Sequence, residues 1–182
     1  MIKYISILRG INVGGKKVIK MDALRKMYEN LGFQNVTTYI QSGNVIFKGD
    51  DTEITQITEK ISLQIEKDFG FGVPVIVFTI EDLKEMINQN PFVNDSNKDI
   101  SHLHVTFLSS EINSANKNGI KGKKQDGEEV CISEKAIYLY CPKGYSKTKL
   151  TNTFIENTLG VTATTRNWKT TTKLLQIADQ IE

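Results

Sequence analysis

Arg9, Asn12, Lys16 and Lys17 sit in one short stretch, RGINVGGKK, whose glycines Gly10, Gly14 and Gly15 let the backbone turn tightly and bare its N–H groups. Cations, a short amide and open backbone donors together are the means of holding an anion. Gly10, Gly15 and Lys16 even fall in the GxxxxGK register of a phosphate loop. The match stops at Lys17, which stands where a Ser or Thr hydroxyl should hold Mg²⁺, and Val18 and Ile19 delay the helix that should cradle the phosphates. No parallel sheet is expected around it, so a nucleoside triphosphatase is not the reading.

Two further groups have the same polar character. Gln41, Ser42, Gly43 and Asn44 carry turn chemistry, and the amides of Gln41 and Asn44 could orient a ligand beside the glycine loop if both connections share one end of a sheet. The third group is ATTRNWKTTTK at 163–173, where Arg166, Asn167, Trp168 and Lys169 open the last helix. A helix beginning near Ser146 would likewise hold Lys147 and Lys149 in its first turn. Cations at the positive end of a helix dipole forgo roughly 0.3–1 kcal/mol each, which an anionic ligand would recover.

Other chemistries find little support. His102 and His104 alternate along a strand whose Leu103, Val105 and Phe107 face inward, and no third ligand has an obvious place, so no metal is expected. Cys131 and Cys141 show no CxxC spacing and read as reduced core thiols. No nucleophile elbow appears, and no cofactor is implied. The run VIVFTIED could mimic a strand ending in a magnesium carboxylate, but Glu81 and Asp82 suit the first turn of the following helix better.

The elements that must position these groups are set by a chain of 182 residues, 39% hydrophobic and 24% charged, enough for one domain or two small lobes. No apolar run approaches the roughly 20 residues of a membrane span, and no secretory pattern opens the chain, so a cytoplasmic protein without a membrane partner is expected. The net charge of +2 conceals an uneven distribution. Residues 1–21 and 135–178 together carry +11, leaving −9 for the remainder. If the fold joined those segments, one strongly positive face would recruit phosphates or carboxylates.

IKYISIL at 2–8 reads as a strand, and Met21, Leu24, Met27, Tyr28 and Leu31 then recur at helical spacing before Gly32. VTTYIQ at 36–41 and NVIF at 44–47 form a hairpin; Asp50 with Glu53 suggests a capping box for a helix through Ile54, Ile57, Ile61, Ile65 and Phe69; a strand follows from Pro74. The order βαββαβ predicts an α+β, ferredoxin-like lobe: an antiparallel sheet with helices packed on one face. After a helix at 81–88 the order starts again. A strand at 102–108, a short helix at 111–118, a hairpin of EEVCIS with AIYLYC, a helix at 147–159, a short strand at 162–165 and a last helix from Trp168 make a second such lobe. The expected domains are 1–80 and 101–182, joined by a connecting helix and loop at 81–100.

YISILRGINVGGKK, TYIQSGNVIF and TTRNWKT, with the intervening YSKTKLTNTFIENTLG, resemble the bacterial domain of unknown function 1697 family from Tyr4 to about Leu175. The resemblance implies a compact α+β protein of about this length and brings no assigned activity, ligand or catalytic residue. The resembling blocks coincide with the polar, glycine-rich and basic segments singled out on chemical grounds. The leading expectation is therefore a basic cleft for a phosphorylated or otherwise anionic ligand, a nucleotide, other anionic small molecule or nucleic-acid backbone. Its walls would be Arg9, Asn12, Gly14, Gly15, Lys16, Gln41, Ser42 and Asn44, with Lys147, Lys149, Arg166, Asn167 and Trp168. The alternative is a small metal-independent enzyme on a phosphorylated or carboxylated metabolite, with Arg9 and Arg166 clamping the anion and Asn12 or Asn44 orienting a water. Sequence-specific RNA readout is not expected, because only Tyr4 and Phe47 could line a sheet surface and no RNP1 pattern is present.

Overall fold

The computed structural model describes residues 1–112 and 117–181. The chain divides into two units, Met1–Lys84 with Leu174–Glu182, and Glu85–Lys173. The division falls a few residues later than the expected boundary at 80, and the second half of the last helix groups with the first unit.

In the first unit β1 (Ile2–Leu8) is followed by α1 (Met21–Asn30), β2 (Gln34–Tyr39), β3 (Asn44–Gly49), α2 (Ile54–Phe69) and β4 (Val75–Thr79), which runs into α3 (Ile80–Asn88). The sheet order is β2-β3-β1-β4 with every neighbouring pair antiparallel. The expected βαββαβ order is the one found. Alternation along the strands sends Tyr4, Leu8, Val45, Phe47, Val75 and Val77 to one face, where Leu24, Met27 and Tyr28 of α1 and Ile57, Ile61 and Ile65 of α2 cover them. The opposite face is buried as well, through Ile5, Ile7, Ile46, Ile76 and Phe78, which is why IKYISIL is almost continuously apolar. Ser6 is tolerated in this strand because its hydroxyl meets the Tyr28 hydroxyl at 2.7 Å.

The capping box expected from Asp50 and Glu53 is not made. Helix α2 starts one residue after Glu53, which is itself the cap position and makes no side-chain capping hydrogen bond among the described residues. The backbone carbonyl of Asp50 instead accepts from the Tyr4 hydroxyl at 3.1 Å. A reciprocal box forms at α3, where Asp82 Oδ2 accepts from the Thr79 N–H and hydroxyl while Thr79 Oγ1 accepts from the Asp82 N–H.

The second unit repeats the order with β5 (Leu103–Leu108), α4 (Lys117–Lys121), β6 (Glu129–Ile132), β7 (Ala136–Tyr140), α5 (Asn152–Leu159) and β8 (Ala163–Asn167), followed by α6 (Trp168–Gln180). Its sheet runs β6-β7-β5-β8, again antiparallel throughout. Leu108, Ile137, Leu139 and Cys141 pack with Ile120 of α4 and Ile155 of α5. Cys141 is buried and its thiol is pushed up to about 11 by that burial, whereas Cys131 on β6 is half-buried rather than a core thiol. The helix expected over 111–118 lies partly at 113–116, outside the described residues; the described helix occupies 117–121.

Two helix starts differ from expectation. Residues 145–147 form a single 3₁₀ turn, and α5 begins only at Asn152, capped by Thr151 Oγ1, which accepts from the Phe154 N–H. Lys147 and Lys149 therefore precede the helix and do not load its dipole. Arg166 lies on β8, paired with Val105, and Asn167 caps α6 by accepting from the Thr170 N–H at 2.8 Å. An asparagine cap supplies locally the acceptor that a cationic helix start was expected to need from a ligand.

Candidate functional site

The loop after β1 is a small hairpin. Val13 and Lys16 form an antiparallel bridge, with the Lys16 N–H on the Val13 carbonyl at 3.0 Å, and Gly14 and Gly15 occupy the two central positions with φ of +58° and +72°. Positive φ at both central residues is the signature of the type I′ turn that suits a two-residue hairpin. A Cβ at either glycine would meet no heavy atom within 4 Å, so the glycines answer to backbone conformation and not to packing. Among the described residues neither glycine N–H has a protein acceptor.

One side chain anchors this hairpin. Asn12, itself at φ +55°, donates from Nδ2 to the Ile19 carbonyl at 3.0 Å and to the Gln41 carbonyl at 2.8 Å, while its Oδ1 accepts from the Ile19 N–H at 2.9 Å. Asparagine tolerates the left-handed region better than most residues and here binds three backbone groups at once. The glycine hairpin and the QSGN turn thus meet at one end of the first sheet. Gly43 completes the junction: its carbonyl accepts from the Leu8 N–H at 2.8 Å, and a Cβ there would lie 2.7 Å from Ile11 Cδ1 and 2.8 Å from Leu8 Cβ. Only glycine fits. Ile40, in the same turn, has φ of +52°, a conformation that costs a β-branched residue about 1–2 kcal/mol.

The cations at this end differ in their engagement. Lys17 Nζ donates to the Gly72 carbonyl at 2.8 Å, while at Arg9 it is the backbone N–H that donates to the Pro74 carbonyl at 3.0 Å. Lys16 and Lys20 are exposed, and among the described residues their side chains have no partner. Gln41 is exposed and Ser42 half-buried. Asn44 is fully buried and directs Nδ2 to the Tyr39 carbonyl at 2.9 Å and to Ser42 Oγ at 3.0 Å. The asparagine amides therefore hold backbone, which is the work the sequence had left open for a ligand or water.

In the second unit, Arg166 is half-buried on β8, with Nη1 on Thr164 Oγ1 at 3.2 Å and on the Thr165 carbonyl at 3.0 Å. Burial lowers its guanidinium to about 10, which leaves it cationic at neutral pH. Trp168 is buried; Lys147 and Lys149 are exposed. A polar network that the sequence did not suggest lies on the helix-covered face of this sheet. The Thr106 and Thr165 hydroxyls meet at 2.7 Å, Thr165 donates to Asn152 Oδ1 at 2.7 Å, and the Tyr145 hydroxyl donates to Thr165 Oγ1 at 3.0 Å. The half-buried His104 ring stacks on Tyr145 with centroids 4.9 Å apart, and burial lowers its pKa, favouring the neutral imidazole. The signal was the period-2 placement of His104 with Thr106, which puts both on one strand face.

Residues 1–138 match the family model described as protein of unknown function (DUF1697). The chain belongs to the DUF1697 family. The glycine hairpin and the QSGN turn lie inside the matched residues, whereas Lys147, Lys149, Arg166, Asn167 and Trp168 lie beyond them. The fold of this DUF1697 chain is similar to that of a solved structure, the conserved bacterial protein SP0830 from Streptococcus pneumoniae. The TM-score is 0.76 at 25% identity, over 97% of this chain and 98% of that one. No curated protein matches the chain.

Proposed function

We propose that this DUF1697 protein acts from the cytoplasm and binds a phosphate-bearing ligand at the glycine hairpin of its first unit. A nucleotide and a nucleic-acid backbone are the first soluble forms to test. One observation carries the reading: among the described residues Gly14 and Gly15 hold their N–H groups without a protein acceptor next to Lys16, and the exposed side chains of Lys16 and of Lys20, at the start of α1, have no partner either. Backbone donors and a cation on one pinned turn are complementary to phosphate oxygens. Residues 1–21 hold Lys3, Arg9, Lys16, Lys17 and Lys20 and no acid, so the positive charge is local to this segment. An enzymatic reading gains no support from Asn12 and Asn44, because the amides it assigned to orienting water are bonded to backbone.

The test is a titration of a labelled single-stranded oligonucleotide by fluorescence anisotropy, with inorganic phosphate and nucleoside triphosphate as competitors. Binding should weaken with salt, and K16A/K20A should both lower affinity and flatten the salt slope by about 1–2. Binding that ignores salt, or that survives K16A/K20A unchanged, removes the hairpin from the function.

A further inference from the structure

Six large apolar side chains stand exposed among the described residues, and three of them border the Asn12 clamp: Val13 at 65%, Val18 at 61% and Ile40 at 46%. Each is the chain neighbour of a residue in that clamp. Val13 follows Asn12, Val18 precedes Ile19, and Ile40 precedes Gln41. Singly scattered exposed apolar residues need no explanation, whereas three of the six fall next to one pinned junction. Lys16, Lys17 and Lys20 are interleaved with them in sequence. The first acid along the chain, Asp22, is paired with Arg25 at 3.8 Å.

We infer that this end of the first unit docks on an anionic phospholipid surface. The inference rests on the phosphate reading of the same hairpin and names where the phosphate comes from. Aliphatic, β-branched side chains offer no face on which a base can stack, so a nucleic acid leaves Val13, Val18 and Ile40 without a role. A bilayer boundary gives each group a place: the aliphatic tips enter the edge of the acyl region while lysines reach back to the phosphates. Asn12 and the glycine turn keep the tip in one shape before contact, which reduces the ordering cost of binding. The absence of a spanning helix among the described residues concerns crossing, not surface attachment.

Co-sedimentation of the full chain with vesicles of equal parts phosphatidylglycerol and phosphatidylcholine tests this, against vesicles of phosphatidylcholine alone. Binding is expected to the anionic vesicles, reduced about tenfold or more by K16A/K20A and by a similar factor in V13S/V18S. Both double variants change exposed side chains, and circular dichroism checks that each is folded. Vesicle binding that V13S/V18S leaves intact overturns the docking mode, since charge alone then accounts for it. Failure to bind anionic vesicles, with oligonucleotide or phosphate binding retained, overturns the lipid inference and leaves the phosphate reading standing. Failure with every phosphate probe removes both.

Discussion

At the scale of single residues, Asn12 matters more for shape than for chemistry. Its three hydrogen bonds join the glycine hairpin, the approach to α1 and the QSGN turn. Replacement by glycine keeps the positive φ and loses the amide, at a cost of about 1–2 kcal/mol. Alanine loses both, and should cost about 1 kcal/mol more. Urea unfolding of N12G and N12A measures the two contributions separately, and equal losses would mean that the backbone conformation at Asn12 carries no strain. The residue types in this region are legible in the sequence, because glycines, amides and lysines state what a loop can do. Their partners are not. Whether an asparagine faces solvent or three backbone groups depends on Ile19 and Gln41, which are 7 and 29 positions away.

Secondary-structure elements show the same division. Strands and long amphipathic helices announce themselves by periodicity, and β1, α1, α2 and α3 lie close to where the apolar spacing places them. Helix starts are harder to read, because two candidate caps can compete within a few residues. At α3 the box is Thr79 with Asp82, and at α2 the candidate Asp50 is too far upstream, with its carbonyl already held by Tyr4. Thr79→Ala should therefore destabilise by about 1 kcal/mol, while Asp50→Ala should stay within about 0.5 kcal/mol. Denaturation midpoints for the two variants check the assignment. The same competition moved the start of α5 from the lysines at 147 and 149 to Thr151. Gly-Gly between Val13 and Lys16 is a hairpin signal in its own right, and the phosphate-loop register of Gly10, Gly15 and Lys16 overlaps it in the sequence.

At the scale of the whole molecule, the repetition of strand order is the most legible property, since both halves run strand, helix, hairpin, helix, strand. The discontinuity of the first unit was not legible. Leu174 and Ala178 are fully buried, the Ala178 carbonyl accepts from Lys3 Nζ at 3.1 Å, and Asp179 pairs with Lys84 at 3.8 Å, so the last turns of α6 complete the unit that begins at Met1. A chain truncated after Lys173 should lose protection at the β1 amides of Ile5 and Ile7 more than at the β5 amides of Val105 and Phe107. Hydrogen exchange followed residue by residue measures this, and equal loss in both strands would show that Leu174–Glu182 serve the two units alike.

The return of the chain to its first unit also orders events during synthesis. A ribosome releases β1 to β4 early, yet residues 174–182 follow only after every residue of the second unit has been made. Elongation at roughly 5–20 residues per second leaves the N-terminal sheet waiting several seconds for its last segment. During that interval Lys3 lacks the carbonyl to which it donates in the finished fold, and the first unit is without the residues 174–182 that group with it until α6 arrives.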